Sequence, residues 1–151
     1  MKDISKKLTE LLREGYCAPQ IGRLAKKLKE PSSTIHYNIK KLEKDGVVSE
    51  YTAVFDHKKL EEGFTAFVLI NLSPTEYGDP ERLAREFSKF REIESVDIIT
   101  GDWELLLKIR TKDQDAYYDF VKRVISRKGV EKIKTLTSLK EVKSEFIAHR
   151  A

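Results

Sequence analysis

Residues 64–72, FTAFVLINL, constrain the fold more than any other stretch of the chain. Side chains alternate across a strand, so Phe67 and Leu69 fall on one face and Ala66, Val68 and Ile70 on the other. Leu106, opposite Leu105 and Leu107, repeats the pattern. Strands apolar on both faces need cover on both, and the order of the following elements supplies it on one. Residues 73–80, with Pro74, Gly78 and Pro80, read as a turn region, and Leu83, Ala84, Phe87 and Phe90 mark a helix. Residues 93–100 read as a second strand, Gly101–Asp102 as a tight hairpin turn, and residues 103–110 as a third strand. Tyr117, Phe120, Val121, Val124 and Ile125 define another helix, closed near Gly129. Residues 130–142 form a fourth extended segment, and His149 falls in a peripheral tail. The order β-α-β-β-α-β is the ferredoxin-like arrangement, an antiparallel four-stranded sheet with both helices on one face. The uncovered face is then a large exposed apolar patch, the usual mark of an interface. Self-association through this sheet, most simply as a two-fold dimer, is expected.

The first 56 residues follow a different rule. Ile4, Leu8, Leu11 and Leu12 recur at helical spacing, in a helix ending near Gly15. Pro19 suits the first turn of a second helix, whose stripe is Ile21, Leu24, Ala25 and Leu28. After a short break comes Pro31–Gly46, PSSTIHYNIKKLEKDG. Ser32 and Ser33 are N-cap candidates, Ile35, Ile39 and Leu42 give one apolar stripe over about three turns, and Gly46 suits the left-handed end. Three short helices with a tight connection before the third match a helix-turn-helix, whose second element reads the DNA major groove. Residues 47–55, with Tyr51, Ala53 and Phe55 alternating, read as a strand leaving this domain. The polar run 57–63 reads as a linker, which divides the chain into a 1–56 DNA-binding domain and a 64–151 βαββαβ domain. The fold class is therefore α+β.

Charge agrees with that division. Net charge is +4, but residues 1–60 carry 13 Lys/Arg against 8 Asp/Glu and the remainder 16 against 17. The basic excess sits where phosphates are expected. With 36% charged and 40% hydrophobic residues the chain is expected to be soluble while still building a core. It has no apolar run of membrane-spanning length and no signal-peptide pattern at its start, so a cytoplasmic location is expected. Cys17 is the single cysteine, expected to be a buried or inert thiol, and nothing in the spacing of its partners calls for a metal or a cofactor. Asn and Gln are scarce beside Lys and Glu, as in hyperthermophile proteins.

With the stripe buried, the outward residues of the third helix are the candidate DNA contacts. Ser33 and Thr34 are expected at phosphates or bases near the helix start, His36, Tyr37 and Lys40 at base edges, and Lys41 and Lys44 at phosphates. Asn38 either reads adenine or braces the helix.

The two halves together resemble the Lrp/AsnC family of prokaryotic transcription regulators, the feast/famine proteins. The resemblance rests on Leu24-Ala25, on Ser33-Thr34-Ile35 followed by Ile39-Lys40-Lys41-Leu42, on Asp45-Gly46-Val47-Val48, and on Thr100-Gly101-Asp102-Trp103-Glu104. It implies a homodimer, often assembled into an octamer, that binds pseudo-palindromic promoter DNA. It also implies a second domain that senses amino acids near the hairpin motif. The chain departs from the family at Asn38, where arginine is common, and at Glu104, where aspartate is commoner. For an effector, the backbone N–H groups of Gly101–Asp102 would meet a carboxylate and Asp102 or Glu104 an ammonium, with Thr100 and Trp103 beside them. Thr137, with Thr135 and Ser138, is expected to line the same region.

Readings from other classes make different demands on the sequence. Haem-precursor decarboxylases resemble this family, but the three histidines, His36, His57 and His149, fall outside the expected sheet-and-helix body. RNA recognition on this topology needs a basic, aromatic-bearing third strand, which residues 103–110 lack. An architectural DNA-binding protein without an effector would use the same helix.

Overall fold

The helical spacing of the first 44 residues resolves into α1 (Ser5–Arg13), α2 (Ile21–Leu28) and α3 (Ser32–Lys44). The computed structural model describes residues 1–143, so His149 lies outside the described residues. The chain divides into two compact units, Met1–Val54 and Phe55–Ala151. In the first unit α2 ends at Lys29 in the left-handed conformation and the chain turns directly into α3. Ala25 of α2 and Ile35 of α3 are buried. The α1 stripe is left open, with Ile4, Leu8 and Leu11 each about half exposed (52, 49 and 45%).

Three local expectations are corrected here. Pro19 lies outside α2, because Gln20 is its N-cap and Ile21 its first residue. Neither Ser32 nor Ser33 caps α3; Pro31 takes the N-cap position, so both serines are already helical and their hydroxyls make no capping bond. Residues 47–55 join no ladder among the described residues. Their exposure still alternates, Tyr51, Ala53 and Phe55 half-buried and Thr52 and Val54 exposed. The period of two is present without a neighbouring strand to bond to, and a strand is defined by that neighbour. At the end of α3, Gly46 takes φ +71°, where the N–H groups of Val47 and Val48 both donate to the Leu42 carbonyl (3.0 and 3.2 Å).

The second unit is a four-stranded antiparallel sheet in the order β2-β3-β1-β4, from β1 (Phe64–Leu72), β2 (Ile93–Ile98), β3 (Leu105–Thr111) and β4 (Val130–Thr137). Helices α4 (Pro80–Phe87) and α5 (Gln114–Phe120) are opened by carboxylates: Asp79 accepts from the Arg82 N–H (3.1 Å) and Asp113 from the Ala116 N–H (2.8 Å). A π-helical turn, Val121–Ile125, continues α5. Ala66, Val68, Ile70 and Leu72 of β1 and Leu105, Leu107 and Ile109 of β3 are fully buried with Leu83, Phe87, Phe120 and Ile125 of the helical layer. Burying each of these Val, Leu, Ile and Phe side chains contributes roughly 1.5–3 kcal/mol, so this layer carries most of the unit's stability.

The sheet corrects three further details. β4 stops at Thr137 instead of reaching Val142, because Ser138 already donates to the Thr65 carbonyl (2.9 Å) near the start of β1. Phe90 lies beyond α4 and Trp103 before β3. The turn between β2 and β3 is wider than two residues: Ile98 pairs with Leu105, the Ile99 N–H donates to the Glu104 carbonyl (2.9 Å), and residues 100–103 form the tip. The open face is also less apolar than the sequence suggests. Phe67 (37% exposed), Leu69, Leu106 and Leu136 (47%) form its centre, but Lys108 lies opposite Phe67 and Arg110 opposite Thr65.

Candidate functional site

All seven residues expected to meet DNA, Ser33, Thr34, His36, Tyr37, Lys40, Lys41 and Lys44, are exposed on α3. Ser33, Tyr37, Lys40 and Lys44 recur at i, i+4, i+7 and i+11, one stripe pointing away from Ile35, Ile39 and Leu42. His36 and Lys41 flank it on either side. Tyr37 is 70% exposed although it is aromatic, with most of its ring available to a partner. Asn38 braces the helix: its amide donates to the Thr34 carbonyl one turn back (2.8 Å).

Two residues outside the expected set hold one member of the stripe. The Lys40 ammonium pairs with Glu43 Oε2 (2.9 Å), and the Tyr51 hydroxyl donates to Glu43 Oε1 (3.1 Å). The hydrogen bonds from Lys40 and then Tyr51 hold the Glu43 carboxyl below the ordinary carboxylate range, and Glu43 raises the Lys40 ammonium in return. The i,i+3 spacing of Lys40 and Glu43 was visible in the sequence; the contribution of Tyr51 was not.

At the hairpin tip Thr100, Gly101 and Asp102 are exposed and Trp103 and Glu104 half-buried, with Gly101 at φ +109°. Glu104 is already committed. Its Oε2 accepts the Leu72 N–H (2.7 Å) and the Asn71 amide (3.2 Å), and the same amide donates to the Asp102 carbonyl (2.7 Å). Leu72 lies past the last β1–β3 pair, Ile70↔Leu105, at a register shift against β4. Its N–H would otherwise lack a strand partner there. Glu104 Oε2 is thus held by two N–H donors, while Asp102 is exposed at the tip. Thr137 does not belong with this group. It pairs with Ala66, four residues along β1 from Ile70, so about 13 Å of strand separates it from the hairpin end. Thr135 is exposed on the helical side of the sheet, its hydroxyl hydrogen-bonded to that of Tyr117.

The open face carries an ion network beside its apolar centre. Arg110 holds Glu94 through Nε (2.5 Å) and Nη2 (3.3 Å), Lys108 joins Glu94 (3.4 Å) to Glu141 (3.1 Å), and His57 lies between Glu62 (3.3 Å) and Glu94 (3.7 Å). Burial would push the Glu94 carboxyl up, but the Arg110 guanidinium, with Lys108 and His57, outweighs it and holds the group below the usual range. Cys17 is half-buried, its Sγ 3.7 Å from the Leu12 carbonyl. Among the described residues no group of three or more His, Cys, Asp or Glu is placed to hold a metal, and no helix is long and apolar enough to cross a membrane.

Residues 65–147 match the model of the Lrp/AsnC ligand-binding domain. The HTH-type transcriptional regulator FL11 of Pyrococcus furiosus is 34% identical over 140 residues, 93% of this chain and 90% of FL11. An uncharacterized HTH-type transcriptional regulator of Pyrococcus abyssi is 35% identical over 127 residues, 83% of this chain and 85% of the relative. Among solved structures, an AsnC family transcriptional regulator from Agrobacterium tumefaciens superposes with a TM-score of 0.77 at 25% identity, covering 99% of this chain and 97% of that one. The transcriptional regulator NMB0573 of Neisseria meningitidis, solved as an L-Met complex, gives 0.72 at 25% identity over 95 and 94%. The matched ligand-binding domain spans more than half of the sequence and the helix-turn-helix regulators align nearly end to end, so the chain belongs to the Lrp/AsnC family of DNA-binding transcription regulators.

Proposed function

We propose that the protein is a homodimer that reads pseudo-palindromic promoter DNA with two copies of α3 and is tuned by an amino acid at the hairpin tip. The observation that carries the DNA reading is the stripe Ser33, Tyr37, Lys40, Lys44, exposed along the whole outward side of α3. Ser33 and Thr34 lie at the helix start, where free N–H groups and the helix dipole favour phosphate. His36, Tyr37 and Lys40 meet base edges; Lys41 and Lys44 meet phosphates. A two-fold pair of such helices sets half-sites about 34 Å apart or a multiple of that. The chain acts by binding and not by catalysis. The apolar centre of the open sheet face, Phe67, Leu69, Leu106 and Leu136, supports pairing of two copies there, with assembly to an octamer as a further step.

A relative solved with L-Met supports an amino-acid ligand, and the tip offers the N–H groups of Gly101–Asp102 for a carboxylate and Asp102 for an ammonium, with Trp103 beside them. Selection of bound genomic fragments, with and without pooled amino acids, tests both parts. A discrete set of fragments whose occupancy changes with the amino acids is the expected outcome. Uniform coverage in footprinting would instead make the protein architectural. Calorimetry against the twenty amino acids with no heat up to millimolar concentration would remove the effector.

A further inference from the structure

Glu43 is the one acid among the residues of α3, set among Lys40, Lys41, Lys44 and His36. A carboxylate on a helix facing a polyanion opposes binding, so its position asks for a use. Its geometry supplies one. Both carboxylate oxygens are engaged, Oε2 by the Lys40 ammonium and Oε1 by the hydroxyl of Tyr51, which comes from outside the helix. Tyr51 is half-buried, and its backbone runs close to Gly15, where a Cβ would come within 3.1 Å of the Tyr51 carbonyl oxygen. Glu43 therefore has a second hydrogen-bond partner from beyond its own helix, unlike an ordinary solvated i,i+3 pair.

Lysine is a compact charge on a flexible stem, and phosphates line both sides of the groove. An untethered ammonium at the middle of the stripe settles on whichever phosphate is nearest, which adds affinity for any sequence. A paired ammonium releases no counterion until a better acceptor replaces the carboxylate. Guanine offers two acceptors, O6 and N7, at a fixed place in the groove.

We propose that Glu43, fixed by the Tyr51 hydroxyl, is a positioning residue that aims Lys40 at a base edge and keeps it off the phosphates. This rests on the reading of Lys40 as a base contact. The pair is exposed and weak, so its loss shifts specificity about two- to fivefold and leaves binding intact.

The experiment measures dissociation constants of the full-length protein for its best selected genomic fragment and for a random duplex of equal length, across a salt series. Glu43→Gln should tighten random-duplex binding, steepen its salt slope by about one unit, and lower the specificity ratio two- to fivefold. Tyr51→Phe, which changes no charge, should lower the ratio in the same direction. In a Lys40→Gln background, Glu43→Gln should leave the slope where Lys40→Gln put it. If the slope steepens equally in that background, Glu43 is only a repelling charge and the proposal is overturned. An unchanged ratio in a Tyr51→Phe protein of unchanged melting temperature overturns it as well. Should Lys40→Gln alone leave the ratio unchanged, the reading of Lys40 fails separately, and the inference with it.

Discussion

At the scale of single residues, the most informative side chain is Glu104. Its place after Gly-Asp and an aromatic residue suggests an effector ligand, yet its carboxylate closes the end of β1 by accepting from Leu72 and Asn71. Glu104→Ala should therefore cost about 1–3 kcal/mol in urea denaturation, because the Leu72 amide loses its acceptor. Glu104→Gln, which keeps an acceptor oxygen, should cost less. None of this was legible in the sequence, because the register shift between Asn71 and Leu72 has no residue signature. On α3 legibility was better. Helical spacing alone separates the seven outward residues, all exposed, from the stripe Ile35, Ile39 and Leu42, but the stripe is not sealed as expected: Ile35 is buried, Ile39 half-buried and Leu42 41% exposed. Lys41→Ala should weaken all duplexes alike and flatten the salt dependence by about one unit of slope, whereas Lys40→Ala should relax specificity at one position. Equal losses and equal slopes for both would contradict that division.

At the scale of elements, periodicity located each helix and each sheet strand among the described residues, and failed where an element depends on something far away in sequence. Residues 47–55 have the alternation of a strand but no neighbour, and β4 ends where β1 begins and not where its own apolar residues run out. Thr137 falls away from the hairpin for a related reason: the antiparallel register of β4 on β1 carries it to the other end of the sheet. Between β2 and β3, Glu94 and Arg110 give a pH prediction. The Glu94 carboxyl titrates below its ordinary value in the folded protein, so its stabilising contribution is present above that ordinary value, near 4.5, and is lost as pH falls through the lowered one. Urea midpoints should be flat near neutrality and fall in acid. Glu94→Gln should make the acid limb shallower.

At the scale of the whole molecule, the unbalanced sheet is the dominant fact. One face is sealed by α4 and α5; the other pairs a short apolar centre with Lys108, Arg110 and their carboxylates. Phe67→Asp or Leu136→Asp should weaken self-association about tenfold or more in light scattering while leaving the monomer folded, since neither side chain belongs to the buried layer. A wild-type protein that is monomeric at micromolar concentration would contradict the pairing. High salt should also weaken it less than it weakens DNA binding, because its centre is apolar.

The bond from Ser138 to Thr65 places the chain's way into the sheet beside its way out. A unit that is entered and left at one corner is modular: its ends sit together, so a different reader can be spliced on there without rethreading a strand.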